Sequence, residues 1–273
     1  MKPEIILHLG VHKTATTHIQ SRLLNSQEKL SKERIQYIKL EDLRKSLTHK
    51  LSTNAQEEVL LEGLLPYMLC DKLVISDENI IGGTNKPDSN KIYSKAIPRL
   101  GKLVAALNGY KIITHITLRD YVDYFISRYC ESLRHFKYCD FDDYYEMVEF
   151  DKVSWIDLLH DIRSVGCENI VISEFNDVIQ NNDKYLANLL GVNAPFAQAT
   201  ESGGVRRSKM SLEAIQILGL INESFPPQMT RKVAYLIDNF KQAGVSTPFN
   251  PFPKEVFERL KDNYTNHLNS LMN

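Results

Sequence analysis

A short stretch near the N-terminus has the residue types of an anion-binding site. Gly10-Val11-His12-Lys13-Thr14-Ala15-Thr16-Thr17 directly follows the apolar run Glu4–Leu9. A loop leading from a strand into a helix presents backbone N–H groups without acceptors, and the helix dipole adds partial positive charge there. Lys13 contributes a full charge, and Thr14, Thr16 and Thr17 contribute hydroxyl donors. The phosphate loop of nucleotide hydrolases and kinases reads GxxxxGK[ST]. Aligned on Gly10, this chain has Ala15 for the second glycine and Thr16 for the lysine, with its own lysine three positions earlier. Only Thr17 keeps the final hydroxyl. A kinase lysine and a magnesium-binding hydroxyl are thus not both in place, which disfavours magnesium-dependent phosphoryl transfer.

A second group lies farther along. Arg119 ends the Ile- and Thr-rich run Lys111–Leu118, and Ser127 follows eight positions later. A guanidinium grips a phosphate with two donors at once, and a hydroxyl adds a neutral third. Taken alone, Arg119 reads as the partner of Asp120 or Asp123. Taken with the first loop, it reads as one end of a phosphate clamp.

The segment His12-Lys13-Thr14-Ala15-Thr16-Thr17 resembles the 5'-phosphosulfate loop of sulfotransferases that use 3'-phosphoadenosine-5'-phosphosulfate (PAPS), commonly written KTGTT. Arg119 and Ser127 resemble the pair that clamps the 3'-phosphate in that family. The resemblance implies that residues His12 to Thr17, with Ala15 among them, hold the 5' end of the cofactor. It implies that Lys13 steadies the departing phosphate oxygen and that PAP is the product. Two departures stand out. Ala15 replaces a glycine, and a Cβ is strained at positive φ unless the backbone there is helical. Tyr121 replaces the proline usual two positions after the arginine.

Weaker likenesses follow at Glu168–Phe175 and Leu189–Val192. Ser202–Ser208 resembles a C-terminal cofactor loop, which nominates Arg206 and Arg207 as further phosphate contacts. The resemblance spans about residues 4–210, and no signature is legible in 211–273.

Sulfuryl transfer also needs a base for the acceptor's proton. Glu78 follows the run Lys72–Ser76 and is the first candidate; His12 is the alternative. His8 and His115 fall inside apolar runs and read as structural. The acceptor is a hydroxyl or amine on an unidentified carbohydrate, lipid or small molecule. Residues 26–54, 82–90 and 136–150 are the candidate segments for shaping its pocket; the aromatics of 136–150 read either as pocket lining or as helix-packing residues. No metal is expected. The alternatives are a nucleotide or small-molecule kinase with the same loop design, and a non-catalytic module that binds an adenine nucleotide or an acidic partner.

These residues sit on a pattern that alternates strands and helices. Apolar runs at Glu4–Leu9, Lys72–Ser76, Lys111–Leu118 and Asn169–Ser173 predict strands. Helices are predicted over about 16–25, 57–69, 90–107, 121–137, 152–165 and 184–190. Beyond Ser211, a candidate N-cap, the chain reads as mostly helical. Such alternation predicts a parallel α/β sheet flanked by helices, with ligands beyond the carboxyl ends of the strands. Apart from Arg206 and Arg207, every candidate residue above lies just after a strand or on the helix that follows one.

The 273 residues suit one domain, with a cofactor core over about 4–210 and a helical extension over about 211–273. A formal net charge of -1 argues against a dominant nucleic-acid-binding surface, and a few local cations suffice for an anionic ligand. The four cysteines show no metal or disulfide spacing. No apolar run reaches membrane-spanning length and nothing before the first strand fits a signal peptide, so a cytoplasmic protein is expected.

Overall fold

In a parallel sheet both faces are covered, so its strands are apolar at successive positions rather than alternately polar. Glu4–His8 (β1) and Lys72–Ser76 (β3) follow that rule, and with the β-branched Ile112–Leu118 (β4), whose Thr114, His115 and Thr117 are also buried, they form the centre of the sheet. The computed structural model describes residues 2–53, 55–83, 86–193, 195–200, 210–226, 229, 232–233 and 247–272. Its sheet has five parallel strands in the order β2-β3-β1-β4-β5, where β2 is Ile35–Tyr37 and β5 is Ile170–Glu174. β1 is central, with His8 in register with Ser76 on one side and His115 on the other.

The alternation of β1 divides two apolar layers. Ile5 and Leu7 face a large cluster that includes Leu100, Leu103, Trp155 and Leu159. Ile6 faces a smaller one with Ile19, Leu23, Leu186 and Leu190. Helices Ala96–Ala106 and Trp155–Ser164 supply the first layer. Helices Thr16–Asn25 and Asn182–Leu190 supply the second.

Several expectations need correction. β2, only Ile-Gln-Tyr, was not expected; it lies at the sheet edge in the stretch 26–54 and pairs with β3. The helix expected over 90–107 is Ala96–Ala106 alone. The helix expected over 57–69 ends at Leu64, and the turn Leu65–Tyr67 carries Pro66, whose ring disfavours a further α-helical turn. Beyond Ser211, whose side chain accepts the Ala214 N–H, lie helices Leu212–Ser224 and Lys254–Met272.

The aromatic segment 136–150 is largely core rather than pocket. Phe141, Tyr144 and Tyr145 are buried, and Phe150 packs edge-on against Phe125 and Phe252. Among the described residues, no helix is long and apolar enough to cross a membrane.

Candidate functional site

The loop after β1 is built onto the sheet. The Leu9 N–H donates to the His115 carbonyl at 2.9 Å and the Val11 N–H to the Thr117 carbonyl at 3.1 Å, so the ladder with β4 runs past the strand's end. The chain then turns sharply. Gly10 has φ +40°, and a Cβ there would stand 2.9 Å from Thr14 Oγ1. Thr14 Oγ1 donates to the Val11 carbonyl at 2.6 Å and closes the turn.

Lys13 and Ala15 are both left-handed, with φ +70° and +61°. Ala15 therefore does not take the helical angle that would have suited it. It holds the glycine-type conformation at an expected strain of about 1 kcal/mol. Ala15→Gly should accordingly raise stability by up to about 1 kcal/mol, read as a higher urea midpoint. An unchanged or lower midpoint would count against the left-handed geometry.

Ala15 occupies the N-cap of helix Thr16–Asn25, and no side chain caps that end. Its first N–H groups thus have no intrahelical acceptor. Thr16 Oγ1 is buried without a hydrogen-bond partner. The loop presents donors inward, as a site for an anion requires.

Arg119 meets this loop directly. Its Nη1 donates to the Lys13 carbonyl at 2.6 Å, and its guanidinium lies over the Phe175 ring at 4.6 Å. The Trp155 indole N–H holds the Arg119 carbonyl at 2.9 Å. Arg119 Nε is buried and unpartnered, and Asp123 stands 3.9 Å from Nη2. Arg119 is thus mostly buried, not a surface ion-pair residue. Burial lowers its pKa, opposed by Asp123 and Asp120.

Asp120 caps the helix Tyr121–His135 by accepting the Asp123 N–H at 3.1 Å. Tyr121 is the first residue of that helix, a place where proline is favoured because its missing N–H has no intrahelical role. Here the ring is buried and stacked on Trp155 at 5.2 Å. The departure from proline therefore serves packing.

Asp123, Ser127 and Glu131 recur every four residues and share one face of this helix. Asp123 faces Arg119, and Glu131 Oε2 receives the Lys13 ammonium at 3.1 Å. Buried Ser127 stands on that face between the two contacts.

The far wall comes from β3. Asp77 is fully buried and accepts Arg44 Nε at 3.1 Å and Nη2 at 3.2 Å. Glu78 Oε1 lies 3.7 Å from Arg44 Nη2, while Glu78 Oε2 is buried without a partner. Burial raises the Glu78 carboxyl above its ordinary range, Asp77 adds to this, and Arg44 and Lys13 pull it back. That is the electrostatic setting of a proton acceptor.

His12 is placed differently from a base. Asn79 Nδ2 donates to Asp77 at 3.1 Å, which turns Asn79 Oδ1 toward His12 Nε2 at 3.3 Å. An amide oxygen only accepts, so Nε2 carries the hydrogen. His12 Nδ1 then accepts from the Tyr93 hydroxyl at 2.9 Å, and that hydroxyl accepts the His12 backbone N–H at 2.8 Å. Both ring nitrogens are occupied. Burial, with the Arg128 charge next, pushes the imidazole down to about 4. His12 braces the loop through both ring nitrogens.

Thr17 lies one residue into the first helix and is exposed. Arg206 and Arg207 lie outside the described residues. His8 donates or accepts at Ser76 Oγ, 2.7 Å away, and together with His115 is buried in the sheet. Among the described residues no cluster of three or more His, Cys, Asp or Glu side chains is arranged to hold a metal ion.

Sequence reasoning missed Arg44, Asn79, Tyr93 and Glu131. Glu131 was findable, since it stands one helical turn beyond Ser127. Arg44 and Tyr93 come from chain segments whose approach no local pattern announces.

No family model matches this chain, and no curated protein matches it in sequence. Among solved structures it is similar to a sulfotransferase from Alicyclobacillus acidocaldarius, at 11% identity and a TM-score of 0.48, over 86% of this chain and 96% of that one. It is also similar to a retinol dehydratase solved with retinol and PAP, at 13% identity and a TM-score of 0.35, over 91% of this chain and 84% of that one.

Proposed function

We propose that this chain is a sulfotransferase that moves a sulfuryl group from PAPS to a hydroxyl or amine of a carbohydrate, lipid or small molecule. The observation that carries the reading is the 2.6 Å contact between Arg119 and the Lys13 carbonyl. It joins an arginine suited to one phosphate to a loop suited to another, as a nucleotide bearing phosphates at both ends of its ribose requires. Three candidate ligands also keep buried polar atoms without partners: Thr16 Oγ1, Arg119 Nε and Glu78 Oε2. Such atoms are rare and call for a ligand or a functional role.

PAPS supplies a sulfuryl group already bonded to a phosphate leaving group. Lys13, Thr14, Ala15, Thr16 and Thr17 would hold its 5' end, and Arg119 with Ser127 its 3'-phosphate. Lys13 presents an ammonium where charge grows as the phosphate departs, and the helix N–H groups add fixed dipoles. Glu78 accepts the acceptor's proton at its unpartnered oxygen. The loop lacks the lysine and hydroxyl arrangement of magnesium-dependent kinases, which favours transfer without metal.

Calorimetric titration without metal tests this reading. PAP should bind about tenfold or more tightly than AMP or ATP. Equal affinity for the three would overturn it. Glu78→Gln should keep PAP binding and lose roughly 100-fold or more in transfer, assayed with labelled PAPS against a panel of hydroxyl and amine acceptors. Unchanged transfer would remove Glu78 as the base.

A further inference from the structure

Lys13 already holds an anion. Its ammonium lies 3.1 Å from Glu131 Oε2, although the two residues are 118 positions apart in the chain. Glu131 does not depend on that contact. The same Oε2 accepts Arg134 Nη1 at 3.1 Å, and Oε1 faces His135 Nε2 at 2.9 Å. Both of these partners lie on Glu131's own helix, one turn on, so they stay in reach whatever the loop does. One largely buried carboxylate thus serves Lys13, Arg134 and His135. Losing one of these partners leaves it still compensated, whereas losing a sole partner would leave a buried charge exposed to the full desolvation penalty.

We infer that Glu131 is an internal stand-in for the ligand's 5' anion, occupying Lys13 until phosphate or phosphosulfate takes its place. This rests on the proposed PAP and PAPS site. On binding, the ammonium exchanges one carboxylate for another anion, and Glu131 falls back on Arg134 and His135. The exchange keeps Lys13 drawn toward the site and desolvated in advance. It also sets a competitor against every 5'-anionic ligand, so Glu131 weakens binding while pre-placing the lysine. A ligand without a 5' anion does not contest Lys13 and is insensitive to Glu131.

The test compares PAP with adenosine 3'-monophosphate, which lacks the 5' group, by calorimetry on the full chain. Glu131→Gln should bind PAP about tenfold more tightly than wild type and leave adenosine 3'-monophosphate unchanged. Glu131→Asp keeps a carboxylate for Arg134 and His135 but shortens its reach, so it carries the same expectation and guards against misfolding of the glutamine variant. In a Lys13→Ala background, Glu131→Gln should have no effect on PAP. If wild type binds PAP and the Glu131 variants bind it equally or more weakly, the stand-in role is wrong and the cofactor reading survives. An equal gain for both nucleotides also refutes it, since the effect would then be general electrostatics. If wild type fails to bind PAP, both ideas fall.

Discussion

Arg119→Ala will bind PAP roughly 100-fold more weakly than wild type and will no longer prefer it over AMP. A hydrogen bond to a charged group contributes about 1.5–3 kcal/mol, and a fork of two contributes more. A hundredfold loss corresponds to about 2.7 kcal/mol. The arginine is well prepared for the role. Phe175 lies against its face and Trp155 fixes its carbonyl, so little side-chain freedom is lost on binding. The buried Nε without a partner gives it spare donor capacity.

Arg119 also props the loop through the Lys13 carbonyl, and AMP separates the two roles. AMP carries only the 5'-phosphate, so it reports loop integrity alone. If AMP binding falls as far as PAP binding, Arg119 is a strut and not a 3'-phosphate ligand. Arg119→Lys should recover only part of the affinity, because an ammonium keeps the charge and loses the fork.

The second large effect is on stability in acid. Three histidines are buried and neutral: burial lowers His8 from 6.5 to about 3, and His12 and His115 from 6.5 to about 4. In the unfolded chain each would titrate near 6.5, so below that pH the unfolded state binds more protons than the folded one. Their stabilisation is therefore complete above about pH 6.5 and is lost as pH falls toward 4. Each unit of separation corresponds to about 1.4 kcal/mol, so near pH 5 the three together remove on the order of 6 kcal/mol. That is comparable to the whole stability of an ordinary domain.

Glu78 opposes this, since a carboxyl raised by folding gains stability as pH falls, but it is one group against three. Urea denaturation from about pH 7.5 to pH 4.5 should show the midpoint collapsing below pH 6. A flat profile would falsify the buried-neutral assignment. His115→Gln should flatten it in part.

How much of this was legible in advance follows from chemistry along the chain. β1 and β3 announce themselves by runs of successive apolar residues, and β4 by its β-branched Ile and Thr content. The helix Thr16–Asn25 was legible, since Ile19 and Leu23 fix its buried side. β2 escaped because three residues at a sheet edge, one of them Gln36, carry no periodicity. The loop and Arg119 were legible from residue type and order. The His12 brace was not. It depends on Tyr93, which is 81 positions away and approaches only through the tertiary fold. The left-handed Ala15 ran against propensity, and the contacts on both sides of it evidently outweigh a local strain of about 1 kcal/mol.

The two ladder bonds from Leu9 and Val11 to β4 reach beyond kinetics of folding into kinetics of encounter. Because Leu9 and Val11 extend the sheet's central strand, the start of the loop cannot swing without breaking those ladder bonds. At the proposed site, ligand association then calls on side chains such as Lys13 to re-aim, a faster class of motion than rearrangement of a sheet-anchored main chain.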